Sequence, residues 1–303
     1  MTEFVAQVIS GPRHVLAEGP VWNGISHTVI WVDIVRGSVF EGALDGITLT
    51  VLSEHRLDGT VGAAVPGPDG SLLVAAQDRL VVIAADGLRS DGPTVIAPEI
   101  LSRTNDGAVD PAGRFLIGTM ASDGTKGGDE LILVEEDGAL RLIDSDLSIS
   151  NGIAWSPDGH TLYNADTLAG TIWARDYEPR TGLTGPRRIQ FSVDGFPDGI
   201  CVDARGRIWV AVWGSGEARC FDLEGTIVDV VEVDAPHVSS VCFVGDALDR
   251  LLVTTASRDL SEQGLAQYPN AGRLFIADVP VPGIPTSPWS GSWWSQAEAG
   301  SFS

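Results

Sequence analysis

Residues Asn151 to Asp166 read NGIAWSPDGHTLYNAD, and the fold is legible in that one phrase. A small polar pair leads into an apolar run, Ser156-Pro157-Asp158-Gly159 interrupts it with tight-turn chemistry, and a second run rich in aromatic and aliphatic residues follows. Two apolar runs joined this way form a β-hairpin. The phrase recurs on both sides: EGPVWNGISHTVIWVDI from Glu18, VGAAVPGPDGSLLVAA from Val61, DGAVDPAGRFLIGTM from Asp106, DGICVDARGRIWVAV from Asp198 and SSVCFVGDALDRLLVTT from Ser239. Nowhere do apolar residues return at helical spacing over three turns, and 36 glycines with 17 prolines would punctuate any such helix.

The copies start about 45 residues apart, the length of one four-stranded propeller blade. Six copies predict an all-β fold, a six-bladed β-propeller, because one such unit cannot bury both faces of its sheet and must pack against its neighbours around a common axis. The whole chain, 1–303, is expected to be a single domain, with about 289–303 as a flexible or packing tail bearing Trp289, Trp293 and Trp294. The ring should close when residues near the N-terminus add the outer strand to the last blade, whose inner strands come from around Gly272–Asp278. A β-sandwich is the structural competitor.

The formal net charge of −22 repels phosphate backbones and anionic membranes, so nucleic-acid and membrane partners are not expected. No stretch has the length and apolarity of a membrane span, and the N-terminus lacks the basic start and apolar run of a secretory leader. Cys201, Cys220 and Cys242 are odd in number and form no C-x-x-C pair, which suits buried thiols in a reducing, cytoplasmic setting. The histidines show no ligand spacing.

In a propeller the innermost strand of each blade lines the central channel, so the residue opening each copy points into a shared space. Those residues are Glu18, Val61, Asp106, Asn151, Asp198 and Ser239. Three carboxylates and an amide thus converge, and like charges confined together call for a compensating cation. Oxygen donors alone suit Ca²⁺ first, then Mg²⁺ or Mn²⁺. Read singly, Asp-Gly and Asn-Gly are turn formers. Recurrence at one phase of the repeat favours a site.

At these residues the chain resembles the family of senescence marker protein 30 (regucalcin), gluconolactonases and related sugar lactonases. The resemblance runs through AEGPVW around Glu18, RTNDGAVDPAGRFLIGTM from Arg103, SNGIAWSPDGHTLYNAD from Ser150 and FPDGICVDARGRIWVA from Phe196. It implies one divalent cation held by Glu18, Asn151 and Asp198, with Asp106 a possible further axial group and Zn²⁺ or Fe²⁺ as other cations. It implies that Arg103 and Asn105 hold the substrate's hydroxyls and carbonyl. After G-T-M the family often reads A-E-E, its second Glu touching substrate. Here Ala121-Ser122-Asp123 puts the shorter Asp123 in that substrate-binding place, ahead of the Gly-rich stretch GTKGGDE.

The expected activity is metal-dependent hydrolysis of a sugar lactone to the aldonic acid by a monomer or weak homo-oligomer. The metal acts as Lewis acid and Asp198 as general base, with a water activated by the cation alone as competing nucleophile. No G-x-S-x-G elbow supplies a covalent route. The rival readings are a calcium-responsive binding propeller, an esterase for phosphotriesters or hydrophobic lactones, and a protein-interaction propeller.

Overall fold

The computed structural model describes residues 1–291 and 294. Each of the six sequence copies forms the two inner strands of one sheet, and six sheets form the six-bladed propeller. Blade 1 is Ala17–Asn23, Thr28–Asp33, Ser38–Asp45 and Thr48–Arg56. Blade 4, built on the opening phrase, is Ser150–Trp155, Thr161–Asp166, Thr171–Asp176 and Arg188–Ser192. The innermost strands of successive blades touch all the way round, Ala17–Asn23 meeting both Val61–Pro66 and Val238–Val244. Apolar side chains fill the spaces between blades, as where Trp209, Val231, Val241 and Phe275 pack blade 5 against blade 6.

The ring closes as expected and with an addition. Gln7–Val8 pairs antiparallel with Phe275–Asp278 as the outer strand of blade 6. The segment around Gly272–Asp278, expected to supply inner strands, instead supplies the third, and Val238–Val244 and Arg250–Thr255 are the inner pair. Unforeseen is Thr2–Val5, which adds a fifth, parallel strand to blade 5 along Ile227–Glu232. One short N-terminal segment thereby covers the open edges of two neighbouring sheets, edges that would otherwise offer unpaired backbone groups.

A second feature recurs in every blade. The pairing of the two inner strands slips at the axial residue: between Glu18 and Val21, Val61 and Ala63, Thr104 and Gly107, Asn151 and Ile153, Pro197 and Ile200, and Val238 and Ser240. A slip of this kind bends the strand and re-aims the side chain beside it. The Asp-Gly and Asn-Gly pairs are therefore not turns. They lie within strands Ser102–Val109, Ser150–Trp155 and Phe196–Val202, where glycine lets neighbouring inner strands come together. A Cβ on Gly152, whose φ is +22°, would stand 2.5 Å from the Asp198 carbonyl oxygen, and one on Gly62 would stand 2.7 Å from the Asn105 carbonyl oxygen.

Beyond Asp278 the chain crosses the face where the inner strands end. Ala204 N–H donates to Pro282 O (2.8 Å), Trp289 N–H to Pro66 O (2.8 Å) and Ser290 N–H to Gly113 O (2.9 Å). Trp289 is 2% exposed, buried among Val65, Leu73 and Phe115, with Trp294 half-buried against the same cluster. The tail expected from about 289 onward is thus a packed strap as far as 291. Trp293 lies outside the described residues.

Candidate metal and substrate site

The axial residues divide by what holds them. Val61 is fully buried among apolar neighbours, and Ser239 Oγ donates to Ala17 O (2.6 Å), so these two join blades to one another. Glu18, Asp106, Asn151 and Asp198 remain, on blades 1, 3, 4 and 5, all buried, with Glu18, Asn151 and Asp198 among the first residues of their inner strands and Asp106 in the middle of its own.

Their electrostatics follow from that crowding. Burial pushes the Asp198 carboxyl well above the usual range and the Asp106 charge adds to it, while Asn151, Glu18 and then Arg103 pull it back. Burial likewise raises Glu18 well above its ordinary value, reinforced by Asp198 and Asp106. Burial lifts Asp106 to about 6, against one stabilising bond from Gly107 N–H to its Oδ1 (2.7 Å). Glu18 Oε2 accepts the N–H of Gly19 (2.9 Å). Asp198 Oδ1 is buried with no hydrogen-bond partner among the described residues. A carboxylate oxygen sealed from water with nothing to accept is costly, and a cation relieves that cost directly.

The amide fits the same set. Asn151 Nδ2 donates to Thr167 Oγ1 (3.1 Å), which leaves its carbonyl oxygen available to face a cation. Among the described residues no group of three or more His, Cys, Asp or Glu side chains is arranged to hold a metal ion. The candidate set is instead two carboxylates and an amide, hard oxygen donors throughout, and the unpaired Asp198 oxygen suits a divalent cation.

Arg103 and Asn105 stand beside this set on blade 3. Asn105 is buried and its Nδ2 donates to Ser150 O (3.0 Å), tying it to blade 4 next to Asn151. Arg103 donates through Nη1 to Thr104 O (2.9 Å) and through Nη2 to the Met120 thioether (3.0 Å). No ion pair is made to it among the described residues. Burial and the nearby Arg258 lower its guanidinium to about 10, opposed by Glu18 and Asp198. Asp123 is not drawn in. It is exposed, and its Oδ1 accepts from Thr125 N–H (2.9 Å) inside its own loop.

The other half of the channel differs. A cavity of about 640 Å³ lies along the ends of the inner strands, lined by Trp22, Val65, Trp155, Val202 and Phe243 and roofed by Ile284. It reaches Asp106 but not Glu18, Asn151 or Asp198. Thr167, which orients Asn151, carried no signal in the sequence that sets it apart from other strand-end threonines.

Three comparisons bear on this arrangement. The pentonolactonase XacC of Haloferax volcanii is 34% identical over 289 residues, covering 89% of this chain and 93% of that protein. A structure of the calcium-binding protein regucalcin from Agrobacterium tumefaciens superposes with a TM-score of 0.89 at 29% identity, covering 95% of this chain and 98% of the other. A gluconolactonase from Xanthomonas campestris superposes with a TM-score of 0.69 at 25% identity over 88% of this chain and 87% of its own. The family model of the SMP-30/gluconolactonase/LRE-like region matches residues 16–257, which takes in every axial residue described above, and the chain belongs to that family.

Proposed function

We propose that this protein hydrolyses a sugar lactone to the corresponding aldonic acid, using one divalent cation held by Glu18, Asn151 and Asp198. The observation that carries the reading is the buried, unpartnered Oδ1 of Asp198 beside two further carboxyl groups raised by burial. The names of the similar pentonolactonase and gluconolactonase support a lactone as the substrate class.

When bound, the cation supplies Lewis acidity toward the lactone carbonyl and the positive charge that lets the axial carboxylates ionise. Asp198 accepts a proton from the attacking water as its oxygen bonds to the carbonyl carbon. The bond from that carbon to the ring oxygen then breaks, and the proton held by Asp198 passes to the ring oxygen, which leaves as a hydroxyl group. Asn105 orients the sugar by neutral hydrogen bonds, and Arg103 by stronger charge-assisted ones. Asp106, behind the ligand set, adds negative charge that tightens cation binding.

Ca²⁺ is the cation we favour, since every donor is an oxygen. Six blades closed around one axis are read as a single domain, and three free thiols suit a reducing, cytoplasmic setting. No helix of the described residues is long and apolar enough to cross a membrane.

The test is proton release from a panel of pentono- and hexonolactones by chelator-stripped protein, with Ca²⁺, Mn²⁺, Zn²⁺, Mg²⁺ or Fe²⁺ restored in turn. Turnover that appears only with a cation supports the proposal. Cation binding without hydrolysis of any lactone would leave a binding propeller in its place.

A further inference from the structure

Blade 3 carries a carboxylate that the proposed reaction does not use. Asp129 opens the third strand, Asp129–Val134, directly after the exposed Gly-rich loop 122–128. It is 2% exposed. Its Oδ1 accepts from Ala121 N–H (2.7 Å), and Glu130 N–H donates to Thr119 Oγ1 (2.8 Å), so two bonds close the neck of that loop. Its Oδ2 is buried with no partner among the described residues. Across the sheet, Arg103 pairs with Met120 and Ser102 with Ala121, which sets Arg103, Met120 and Asp129 on three adjacent strands at one end of the blade.

The Arg103 and Asp129 side chains thus influence one another's charge without forming an ion pair among the described residues. The Arg103 guanidinium spends an N–H on a thioether, a weak acceptor, while a buried carboxylate oxygen nearby accepts nothing. One rearrangement satisfies both.

We propose that Asp129 is a positioning residue whose unpaired oxygen draws the Arg103 guanidinium off the Met120 thioether into its substrate-binding pose, while its other oxygen holds the loop neck. The claim rests on the lactonase reading for what Arg103 then grips, but not for the contact itself. Burial raises Asp129 to about 6, with Asp166 on blade 4 and Glu130 adding to this and Arg103 opposing it. The groups facing it are those three. Ionised Asp129 holds Arg103, and protonated Asp129 releases it, so substrate affinity should weaken as pH falls through about 6.

Asp129→Asn is a discriminating variant, because the amide keeps an acceptor for Ala121 N–H and loses the second anionic oxygen. In the cation-loaded full chain, KM for lactone should rise about tenfold with kcat within about twofold, a change mainly in ground-state binding. The weakening of KM on acidification should flatten, and Asp123→Asn should change neither. The Arg103 side-chain N–H resonances should titrate with a midpoint near 6 in the wild type and lose that component in Asp129→Asn. Identical Arg103 titrations in both proteins overturn the proposal, and so does an equal loss of kcat and KM accompanied by a lowered Tm. If the wild type turns over no lactone, the lactonase reading falls alone, and the Arg103 resonances still decide the contact.

Discussion

The two halves of the central channel are built from the same six strands and have opposite chemistry. Toward the strand starts, Glu18, Asn151 and Asp198 gather with Asp106, which lies mid-strand between the halves; three of the four are acids held above their usual pKa and one has an oxygen that accepts nothing among the described residues. Where the strands end, Trp22, Trp155 and Phe243 line a cavity that Asp106 also borders, beneath a strap pinned by backbone hydrogen bonds. On the proposed reading, the first half gives up stability in the cation-free protein in exchange for cation binding; the second contributes burial. The division falls at the strand slip in each blade, so a local backbone irregularity marks the boundary between function and packing.

The largest effect that tests this contrast is on turnover. Asp198→Asn keeps the shape and removes the proposed base, so kcat/KM for lactone should fall by about a thousandfold or more. The cation-free variant should melt no lower than the wild type, because a buried, poorly compensated acid has been replaced by a neutral group. Unchanged hydrolysis would exclude Asp198 as base and leave the cation-activated water.

At the other end, Trp289→Ala should cost about 3 kcal/mol of unfolding free energy, the usual consequence of emptying a packed aromatic site. Denaturant titration measures it. Cation affinity and KM should stay within about twofold of the wild type. If they fall together with stability, the two halves are coupled and the division at the slip is not functional.

Stability of the cation-free protein should also fall as pH rises. Asp106 moves from 3.8 in the unfolded chain to about 6 in the folded one, so between those values the native state binds the extra proton. The contribution, about 3 kcal/mol at most, is fully present below about pH 4 and gone above about pH 6. Glu18 and Asp198 shift in the same direction and extend the loss to higher pH. Thermal melts of chelator-treated protein at pH 5 and pH 7.5 read it, and restoring the cation at pH 7.5 should recover the difference. A cation-free protein that is more stable at pH 7.5 than at pH 5 would mean that these acids are not the dominant titrating groups.

The blade count and the axial residues were legible because both depend on period and phase, which a chain writes openly: the same hairpin phrase, with a polar residue at the same place in it. The role of the following glycine was not. Gly152 and Gly199 read singly as turn formers after Asn151 and Asp198, and only three-dimensional neighbours show that they sit where a Cβ would strike the adjacent blade. The strap was half legible, since clustered tryptophans announce a covered surface without saying which one. Asp129 was illegible, because its importance comes from a hydrogen bond across a loop neck and an oxygen left over, neither of which has a sequence pattern.

The smallest expected effect concerns the loop itself. Asp123 occupies the place where family resemblance puts a substrate-touching acid, yet it is exposed and its carboxylate caps Thr125 N–H within the same turn. Asp123→Ala should change kcat/KM by less than about twofold and cost at most a few tenths of a kcal/mol, as surface substitutions usually do. The comparison that sharpens this is Asp123→Ala against Asp123→Glu, assayed on the same lactones. A tenfold gain in kcat/KM with Glu would mean that the 122–128 loop folds over the mouth when substrate binds and that one methylene decides the contact. Indifference to both changes would leave blade 3 presenting its substrate through Arg103 and Asn105, with the loop serving as a rim.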